Sequence, residues 1–418
     1  MTATADPLND RDARVHALLE GTEARALLIL SAAGDDPDRS WFTAPAKLGE
    51  TLVVVPAGGA ARLGFVTPME RDEAAATGLD LLTPEALDVA RWSRDAQGAG
   101  AFLADLAAQA LRLSGVAAGR IALGGRLPFG TAREVLTVLE REGWSFVSAA
   151  EPLLRARKRK SAAEIHELRR VNKVVERAFR RVAALLAAAT ARAGELWLEG
   201  ERLRVGRLKS EVAVLFASAG LDQPRGNILA PAEEGGVPHT SGTPDRVLLP
   251  RETLIVDLFP RGWLFSDCTR TFCVGEAPER VVRAHRDVLA ALKLAHALAR
   301  PGARGWDLQE RICAHFAESA HPTPISSPGT VSGYVHGLGH GVGLELHEFP
   351  SFKKDAGLEG ELEVGDVLTL EPGLYEPGAD GYGVRLEDLV CLGADGAETL
   401  TRIPYDLDPS AWDSAAHP

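Results

Sequence analysis

The sequence contains few cysteines, methionines and tyrosines: four, two and four of them in 418 residues. Its cysteines, Cys268, Cys273, Cys313 and Cys391, form no CxxC pair and no spacing typical of a disulfide framework or a thiolate zinc site. We expect them to be reduced and mostly structural. No apolar run approaches the ~20 residues that span a bilayer. The first residues, MTATADPLNDRDARVHALLEG, lack the basic start and apolar block of a signal peptide, so we expect a cytoplasmic protein without membrane contact.

Positive charge is scarcer than negative charge. Lys and Arg total 46 against 58 Asp and Glu, which gives a formal net charge of -12. A surface of that sign repels a phosphate backbone, so we expect no nucleic acid partner. The one basic cluster, RARKRK at 155–160, directly precedes a helical pattern and is typical of a solvated linker.

The hydrophobic content, 45% over 418 residues, predicts a globular chain of two or three domains. In residues 1–155, apolar runs such as ALLIL and LVVVP alternate with amphipathic patterns such as AFLADLAAQALRLSG, which predicts an α/β domain. At Ser161 a capping box with Glu164 begins a long helix, and we place the second domain at 156–418. A second helix is expected from ERLRVGRLKSEVAVLFASAG, and a helix pair follows later in the chain.

Two aspartates fall within a predicted β-hairpin. TLIVDLF and LFSDCTRTFCV are typical of strands joined by a tight turn around Gly262. If the hairpin is symmetric about that glycine, Asp257 and Asp267 are directly opposite each other and share a face. Opposed like charges are destabilising unless a cation lies between them, which favours a metal site. A different register, or one aspartate facing solvent, is the alternative.

Three of the eleven histidines lie in one segment of fifteen residues, HGLGHGVGLELHEFP. His336 and His340 are four apart and therefore share a face in either a strand or a helix. A lone histidine is more often structural than a ligand, but this density favours a site. Glu371 in LTLEPGLY and Glu387 in GVRLEDLV end apolar runs. Either alone is compatible with an exposed strand end, whereas a buried carboxylate requires a cation or strong donors.

Together these side chains form an oxygen-rich ligand set: Asp257, Asp267, His340, Glu371 and Glu387. Four carboxylates and one imidazole are suited to two Mn²⁺, Co²⁺ or Zn²⁺ ions, and they are not the ligands of a thiolate zinc site. Two such ions can hold a hydroxide at neutral pH and polarise a carbonyl, as hydrolysis of an amide requires. The residues therefore favour a metal-dependent hydrolase.

The order and the residues of five motifs resemble those of the M24 metallopeptidases, in particular the Xaa-Pro aminopeptidases and the Xaa-Pro dipeptidases (prolidases). The motifs are VPHTSG, IVDLF to SDCTRTF, HGLGHGVGLELHE, LEPGLY and GVRLEDLV. The resemblance covers about residues 155–405. It implies an α+β chain with a C-terminal pita-bread catalytic domain, a smaller creatinase-like α/β domain before it, and a homodimer. The two aspartates are one position closer together than is usual in the family, which puts the shape of the turn in doubt.

The resemblance also implies a role for each site residue. Asp257, Asp267, His340, Glu371 and Glu387 would bind two divalent ions, with Mn²⁺ expected and Co²⁺ or Zn²⁺ as alternatives. Asp267 and Glu387 would bridge the ions, and Glu371 would also accept a proton from the attacking water. Three histidines would contact the scissile peptide and one arginine would lie near the substrate and Glu387: His239, His336, His347 and Arg385.

These expectations describe an exopeptidase that hydrolyses the bond before proline in short peptides, as an aminopeptidase P or a prolidase does. Carboxypeptidase-like or methionine aminopeptidase-like specificity, and a non-enzymatic pita-bread binding protein, are the alternatives. All five ligand positions are kept, which argues against a binding protein, and the long N-terminal region argues against a methionine aminopeptidase. Arg385 and Arg270 are candidates to bind a substrate carboxylate.

Overall fold

The computed structural model describes residues 7–32, 34–96 and 98–412. The first six residues of the N-terminal segment discussed above lie outside the described residues. The chain divides into two compact units, Met1–Arg157 and Lys158–Pro418. The assignment of independent domains at 1–155 and 156–418 stays a prediction.

The first unit is built on a mixed six-stranded sheet with helices packed against it. Its helices are α1 (Pro7–Glu20), α2 (Pro37–Thr43), α3 (Arg71–Ala75), α4 (Val89–Asp95), α5 (Ala99–Leu113), α6 (Phe129–Arg141) and α7 (Ala150–Lys158). Its strands are β1 (Ala26–Ser31), β2 (Thr51–Pro56), β3 (Arg62–Phe65), β4 (Asp80–Leu82), β5 (Arg120–Gly124) and β6 (Ser145–Ser148). The spatial order is β4-β3-β2-β1-β5-β6. All six residues of β1 are buried because this central strand is covered on both faces, and the predicted α/β architecture is confirmed.

The second unit combines long helices with several small sheets. Its helices are α8 (Ala162–Ala187), α9 (Val205–Ser218), α10 (Ala232–Gly235), α11 (Glu279–Leu298) and α12 (Gly305–Glu318). Its strands are β7 (Thr190–Arg192), β8 (Glu195–Leu198), β9 (Glu201–Arg202), β10 (Ile228–Pro231), β11 (Thr253–Leu258), β12 (Cys268–Cys273), β13 (His340–Gly341), β14 (Glu348–Ser351), β15 (Val367–Leu370), β16 (Gly373–Glu376), β17 (Tyr382–Arg385), β18 (Asp388–Gly393) and β19 (Gly396–Thr399). Short 3₁₀ turns lie at Gly357–Gly360 and Pro409–Trp412 in this unit, and at Pro68–Glu70 in the first unit.

Helix α8 begins as the sequence predicts. Ser161 accepts a hydrogen bond from the Glu164 backbone N–H, and the Glu164 carboxylate accepts one from the Ser161 backbone, which completes the capping box. The apolar face of the helix, including Val171, Val175 and Phe179, packs into the core that it shares with α9, β11 and β12. A second core joins α11 and α12 to β15, β17 and β18. Each core thus supports one set of the strands that carry the predicted site residues.

Three sheets provide those strands: β10-β11-β12, β14-β13-β15-β18-β19 and β16-β17. The first is antiparallel, and an isolated bridge between Thr269 and Glu387 joins its last strand to the connection between β17 and β18. In the part of the chain that the structure describes, no helix is both long enough and apolar enough to cross a membrane.

The predicted register of the aspartate hairpin is wrong. Asp257 pairs with Thr269 and Leu258 with Cys268, so Asp267 precedes β12 and is displaced by two positions from direct opposition. In the connection between the two strands, the Phe265 N–H donates to the Gly343 carbonyl, a contact with a distant segment that the sequence alone does not indicate. Since residues two apart share a face, both aspartates can still reach the same side of the pair.

The segment before α9 also differs from prediction. Residues expected to begin a helix form β9, and the helix begins only at Val205. The three short strands β7, β8 and β9 make a separate antiparallel sheet. Their mostly exposed and partly polar sequence has no regular alternation, so it carries little strand signal.

Candidate metal centre

A cavity of about 300 Å³ is lined by all nine residues that were expected to bind metal or to act in catalysis. The strands bring them there from separate parts of the second unit. Asp257 lies near the end of β11, His340 begins β13, and Glu371 directly follows β15. The cavity-lining residues from the predicted set are Asp257, Asp267, His340, Glu371, Glu387, His239, His336, His347 and Arg385.

The tightest group within the cavity consists of Asp267, His340 and Glu387. One ligating atom from each lies within 4.8 Å of the others. His340 Nε2 is 3.6 Å from Asp267 Oδ2 and 3.5 Å from Glu371 Oε1. His340 Nδ1 is 3.2 Å from the carbonyl oxygen of Gly341, which can only accept, so the ring proton belongs on Nδ1. The lone pair of Nε2 therefore faces the carboxylates.

Three carboxylate oxygens in the cavity find no hydrogen-bond partner among the described residues. They are Asp257 Oδ1, Asp267 Oδ1 and Glu387 Oε1. Their side chains belong to residues that are only 7%, 5% and 2% exposed. A buried, unpaired carboxylate oxygen is costly, and several in one place are costlier still. Hard oxygen donors around one free imidazole nitrogen fit divalent metal ions, which would supply the missing partners.

Burial also perturbs the acid strengths in the cavity. It raises the pKa of Asp267 well above its ordinary range, and the charge of Glu387 adds to this effect. Burial likewise raises the pKa of Glu387, and that of Glu371 to about 8. For His340, burial lowers the pKa to about 3, so its imidazole is neutral at pH 7. Without cations the carboxylates cannot all ionise cheaply, whereas the imidazole is ready to act as a ligand.

The carboxylate oxygens that do have partners are oriented by two other side chains. Thr269 Oγ1 donates to Glu387 Oε2 over 2.7 Å. Arg385 Nη2 donates to Asp257 Oδ2 over 2.5 Å, and Arg385 Nε donates to the same Thr269 hydroxyl over 3.1 Å. Arg385 is 4% exposed. It is therefore engaged with the candidate ligands and is poorly placed to receive a substrate carboxylate.

Tyr375 connects Arg385 to one of the cavity histidines, and the sequence analysis missed it. Arg385 Nη1 donates to the Tyr375 hydroxyl over 2.9 Å, and that hydroxyl is 2.9 Å from His336 Nε2. His336 Nδ1 lies 2.8 Å from the Gly337 carbonyl, so Nδ1 carries the ring proton and Tyr375 donates to Nε2. The position of Tyr375, four residues after Glu371 in LEPGLY, was the available signal.

Arg270, the other arginine considered for a substrate carboxylate, is fully buried in the protein. Its guanidinium donates to Asp388 Oδ1 over 2.8 Å and to the Glu387 carbonyl oxygen over 2.7 Å. It also donates to the carbonyl oxygens of Thr269 and Pro404. That prediction is wrong, because a residue committed to these acceptors holds the backbone beside Glu387 rather than a ligand.

His239 and His347 lie on the exposed side of the cavity. The His347 ring stands nearly perpendicular to that of His340, with their centroids 4.2 Å apart. Burial lowers the pKa of His347, and the positive charge of Arg225 contributes to the shift. Both histidines are thus placed where a bound molecule would meet them first.

A scan of known families matches residues 166–394, more than half of the chain, to metallopeptidase family M24. The chain belongs to family M24. Two curated relatives agree. The probable dipeptidase PepE of Mycobacterium tuberculosis is 30% identical to this chain over 288 residues. The alignment covers 67% of this chain and 66% of the relative. The Xaa-Pro dipeptidase of Pyrococcus furiosus is 33% identical over 214 residues, covering 50% and 56%. The alignments thus span between half and two thirds of these relatives.

Solved structures show the same fold for the M24 chain. An Xaa-Pro dipeptidase from Bacillus anthracis superimposes with a TM-score of 0.74 at 19% identity, over 96% of the M24 chain and 99% of that protein. The predicted α+β class, a pita-bread unit preceded by an α/β unit, is confirmed. At this identity the likeness establishes the architecture and not the substrate.

Proposed function

We propose that this chain is an exopeptidase that uses two divalent metal ions to hydrolyse the peptide bond before proline in short peptides. The observation that carries the proposal is one cavity that holds the neutral imidazole of His340 and three buried carboxylate oxygens without a partner among the described residues. Family membership supports a peptidase. The names of the relatives, dipeptidase and Xaa-Pro dipeptidase, support short substrates and a proline after the scissile bond.

The proposed metal ligands are Asp257, Asp267, His340, Glu371 and Glu387. Two divalent ions held by them would supply a hydroxide nucleophile at neutral pH and would polarise the scissile carbonyl. Mn²⁺ is the metal we expect, with Co²⁺ or Zn²⁺ as alternatives, because the set is mostly hard oxygen. Asp267, His340 and Glu387, whose ligating atoms lie within 4.8 Å of one another, would form the centre of the ligand set.

Glu371 would accept the proton of the attacking water at Oε1 and deliver it to the leaving amine. Burial raises the pKa of this carboxyl to about 8 when no cation is present, and neighbouring cations lower it. The carboxylate form that accepts a proton is therefore available near neutral pH.

The three histidines would contact the substrate, and Arg385 would orient a metal ligand. His239 and His347, on the exposed side of the cavity, would bind the scissile peptide and stabilise its developing negative charge. His336 would contact the peptide by exchanging its bond with Tyr375 for one with the substrate. Arg385 would hold Asp257 in a ligating orientation through its short ion pair.

Product analysis by mass spectrometry tests this proposal. The Mn²⁺-loaded protein would be incubated with Ala-Pro, with Ala-Pro-Ala-Ala and with an amine-blocked peptide of the same length. Cleavage of the dipeptide alone would identify a prolidase, and release of alanine from the tetrapeptide an aminopeptidase P. Release of a C-terminal residue from the blocked peptide would identify a carboxypeptidase and overturn the proposed end specificity. The Asp267→Asn variant and the chelator-treated protein are the controls.

The absence of cleavage with Mn²⁺, Co²⁺ and Zn²⁺ would contradict the peptidase proposal and favour a binding protein on the same fold. The homodimer and the cytoplasmic location stay predictions. Sedimentation of the purified protein would test the first.

A further inference from the structure

A buried lysine just before α8 is paired with the residue that follows His347. Lys160 Nζ lies 2.6 Å from Glu348 Oε1, and both side chains are 1% exposed. Lys160 is also held by its backbone, since its N–H donates to the Gly365 carbonyl over 2.8 Å. The proposed mechanism uses neither member of this pair.

The carboxylate of Glu348 closes the loop of residues 343–348, which carries His347. Its second oxygen, Oε2, accepts a hydrogen bond from the Glu345 backbone N–H over 3.3 Å. The N–H of Gly343 donates to the Glu345 carbonyl over 3.0 Å, so the loop is folded on itself. The buried carboxylate of Glu348 thus bonds to the backbone of its own loop, and Lys160 holds that carboxylate in place.

The ion pair packs directly against the backbone of Gly343. A Cβ atom placed on Gly343 would lie 2.2 Å from Glu348 Oε1 and 2.9 Å from Lys160 Cε. Contacts that short do not occur between unbonded atoms, so a side chain at position 343 would displace the two ends of the ion pair. The pair therefore packs against the backbone of the loop as well as bonding within it.

Stability alone is a weak reason for such a pair. Removing two charges from water offsets most of their attraction, and an apolar pair of similar volume is often as stable. The pair can instead fix the orientation of His347. The ring of this histidine lies 4.2 Å from the ring of His340, and a shift of the loop would change the orientation of the His347 ring. We propose that Lys160 is a positioning residue, which acts through Glu348 to hold His347 facing the reacting peptide. The reaction it serves rests on the proposed function.

Lys158, two residues earlier, offers a matched control. It is also a buried lysine, 3.3 Å from both Asp366 Oδ2 and Glu363 Oε2, and it donates to the Glu361 carbonyl. None of these partners is among the residues that line the cavity. Replacement of either lysine by methionine removes a buried charge from the same short segment, but only one of them touches the loop of His347.

Kinetics of the loaded enzyme form the first test, with Lys160→Met and Lys158→Met each made in the wild type and in His347→Ala. We expect Lys160→Met to lower kcat about tenfold with little change in KM, and Lys158→Met to change kcat less than about twofold. In the His347→Ala background, Lys160→Met should add no further loss, because its effect passes through that ring. Equal losses for both lysine variants, or an undiminished loss without His347, would overturn the proposal.

A second test needs no activity and no metal. Histidine labelled with ¹³C at Cε1 gives one signal per ring, and the signal of His347 is identified by its absence in His347→Ala. At fixed pH this signal should move in Lys160→Met and stay in place in Lys158→Met. A signal that stays in place in the folded Lys160→Met protein would overturn the proposal.

Two further outcomes are separable. If Lys160→Met does not fold, Glu348→Gln decides by the same spectrum, because glutamine keeps the size of the side chain and removes its charge. An unmoved signal in that variant overturns the proposal. If the wild type cleaves no peptide, the proposed function fails, and the spectrum still decides whether Lys160 positions His347.

Discussion

Glu387 and Asp388 are neighbours in the chain and both are buried, but their carboxylates differ in how many hydrogen-bond donors surround them. Asp388 accepts hydrogen bonds from Arg270, Thr401, Tyr405 and His296, so both of its oxygens are satisfied. Although burial alone would raise the pKa of Asp388, Arg270 and His296 lower it to about 2. Glu387 receives only the Thr269 hydroxyl on one oxygen, while its other oxygen has no partner among the described residues.

The contrast shows that the unsatisfied carboxylates are not a failure of the fold. A chain that supplies four donors to one buried carboxylate is able to supply them to the next. Where it does not, a partner from outside the chain is the simplest explanation. The comparison also separates two kinds of buried carboxylate: Asp388, whose partners come from this chain, and Glu387, which we propose binds a metal ion.

Among the variants that test this comparison, Glu387→Gln should have the largest effect, and that effect is on the hydrolytic rate. A metal ion contributes several kcal/mol to transition-state stabilisation, so we expect the hydrolytic rate to fall about a thousandfold or more. The metal-free variant should be at least as stable as the metal-free wild type, because one of several repelling carboxylates is gone. Peptide hydrolysis and thermal melting, each with and without Mn²⁺, measure both effects. Retained activity and an unchanged metal-induced rise in Tm would contradict this expectation.

Replacement of Asp388 by asparagine tests the structural side of the comparison. It leaves the buried Arg270 guanidinium without its counter-charge, and loss of one partner of a buried ion pair costs about 3 to 5 kcal/mol. We expect urea denaturation to show a loss of that order in the metal-free protein. A loss below about 1 kcal/mol would mean that this network is not the structural anchor inferred here.

The pH dependence of stability should have opposite signs for the two kinds of carboxylate. Burial raises the pKa of Glu371 from an ordinary 4.5 to about 8. The folded metal-free protein then binds more protons than the unfolded chain, so stability is full below pH 4.5 and falls as the pH rises towards 8, by about 1.4 kcal/mol per pH unit for each such group.

Asp388 behaves in the reverse way. Its pKa is lowered from 3.8 to about 2, so its contribution is present above pH 3.8 and is lost as the pH falls through 2. Denaturation of the metal-free protein between pH 4.5 and 8 measures the first slope, and Glu371→Gln should reduce it. A stability that rises over this interval would contradict the inferred cluster.

The smallest expected effect comes from Thr269→Val. This removes the hydroxyl that donates to Glu387 and also accepts a hydrogen bond from Arg385. Loss of such a supporting contact typically weakens metal binding about tenfold or more. Calorimetric titration with Mn²⁺ would measure it, with Thr271→Val, whose hydroxyl bonds to the Arg385 backbone, as the matched control. Equal affinities in wild type and Thr269→Val would contradict a supporting role for this hydroxyl.

The sequence predicted the α/β class of the first unit, the capped helix α8 and nine of the residues that line the cavity. The first two depend on local signals, namely apolar runs and a capping box, whereas His239, His347 and Arg385 were expected only from the family resemblance. The roles of the cavity residues stay predictions. For the cavity residues, the order of the motifs was more informative than hydrophobic periodicity, because these residues come from segments that are far apart in the chain.

The sequence could not predict which polar groups bond to each other across the fold. The connection of the aspartate hairpin bonds through the Phe265 N–H to Gly343, 78 positions away, and the register differs from the symmetric one expected from the sequence. Arg270 resembles a substrate-binding arginine until its buried acceptors are known. Lys160 belongs to a basic cluster that is typical of a solvated linker, and only the structure reveals its pairing with Glu348.

Metal stoichiometry tests the central claim most directly. The protein would be stripped of metal, titrated with Mn²⁺ in a calorimeter and assayed for bound metal by mass spectrometry, in parallel with Glu387→Gln. If the unsatisfied carboxylates form a dinuclear centre, the wild type should bind two ions per chain and the variant fewer than two. Absence of binding by the wild type, or two ions bound equally well by both proteins, would contradict the account.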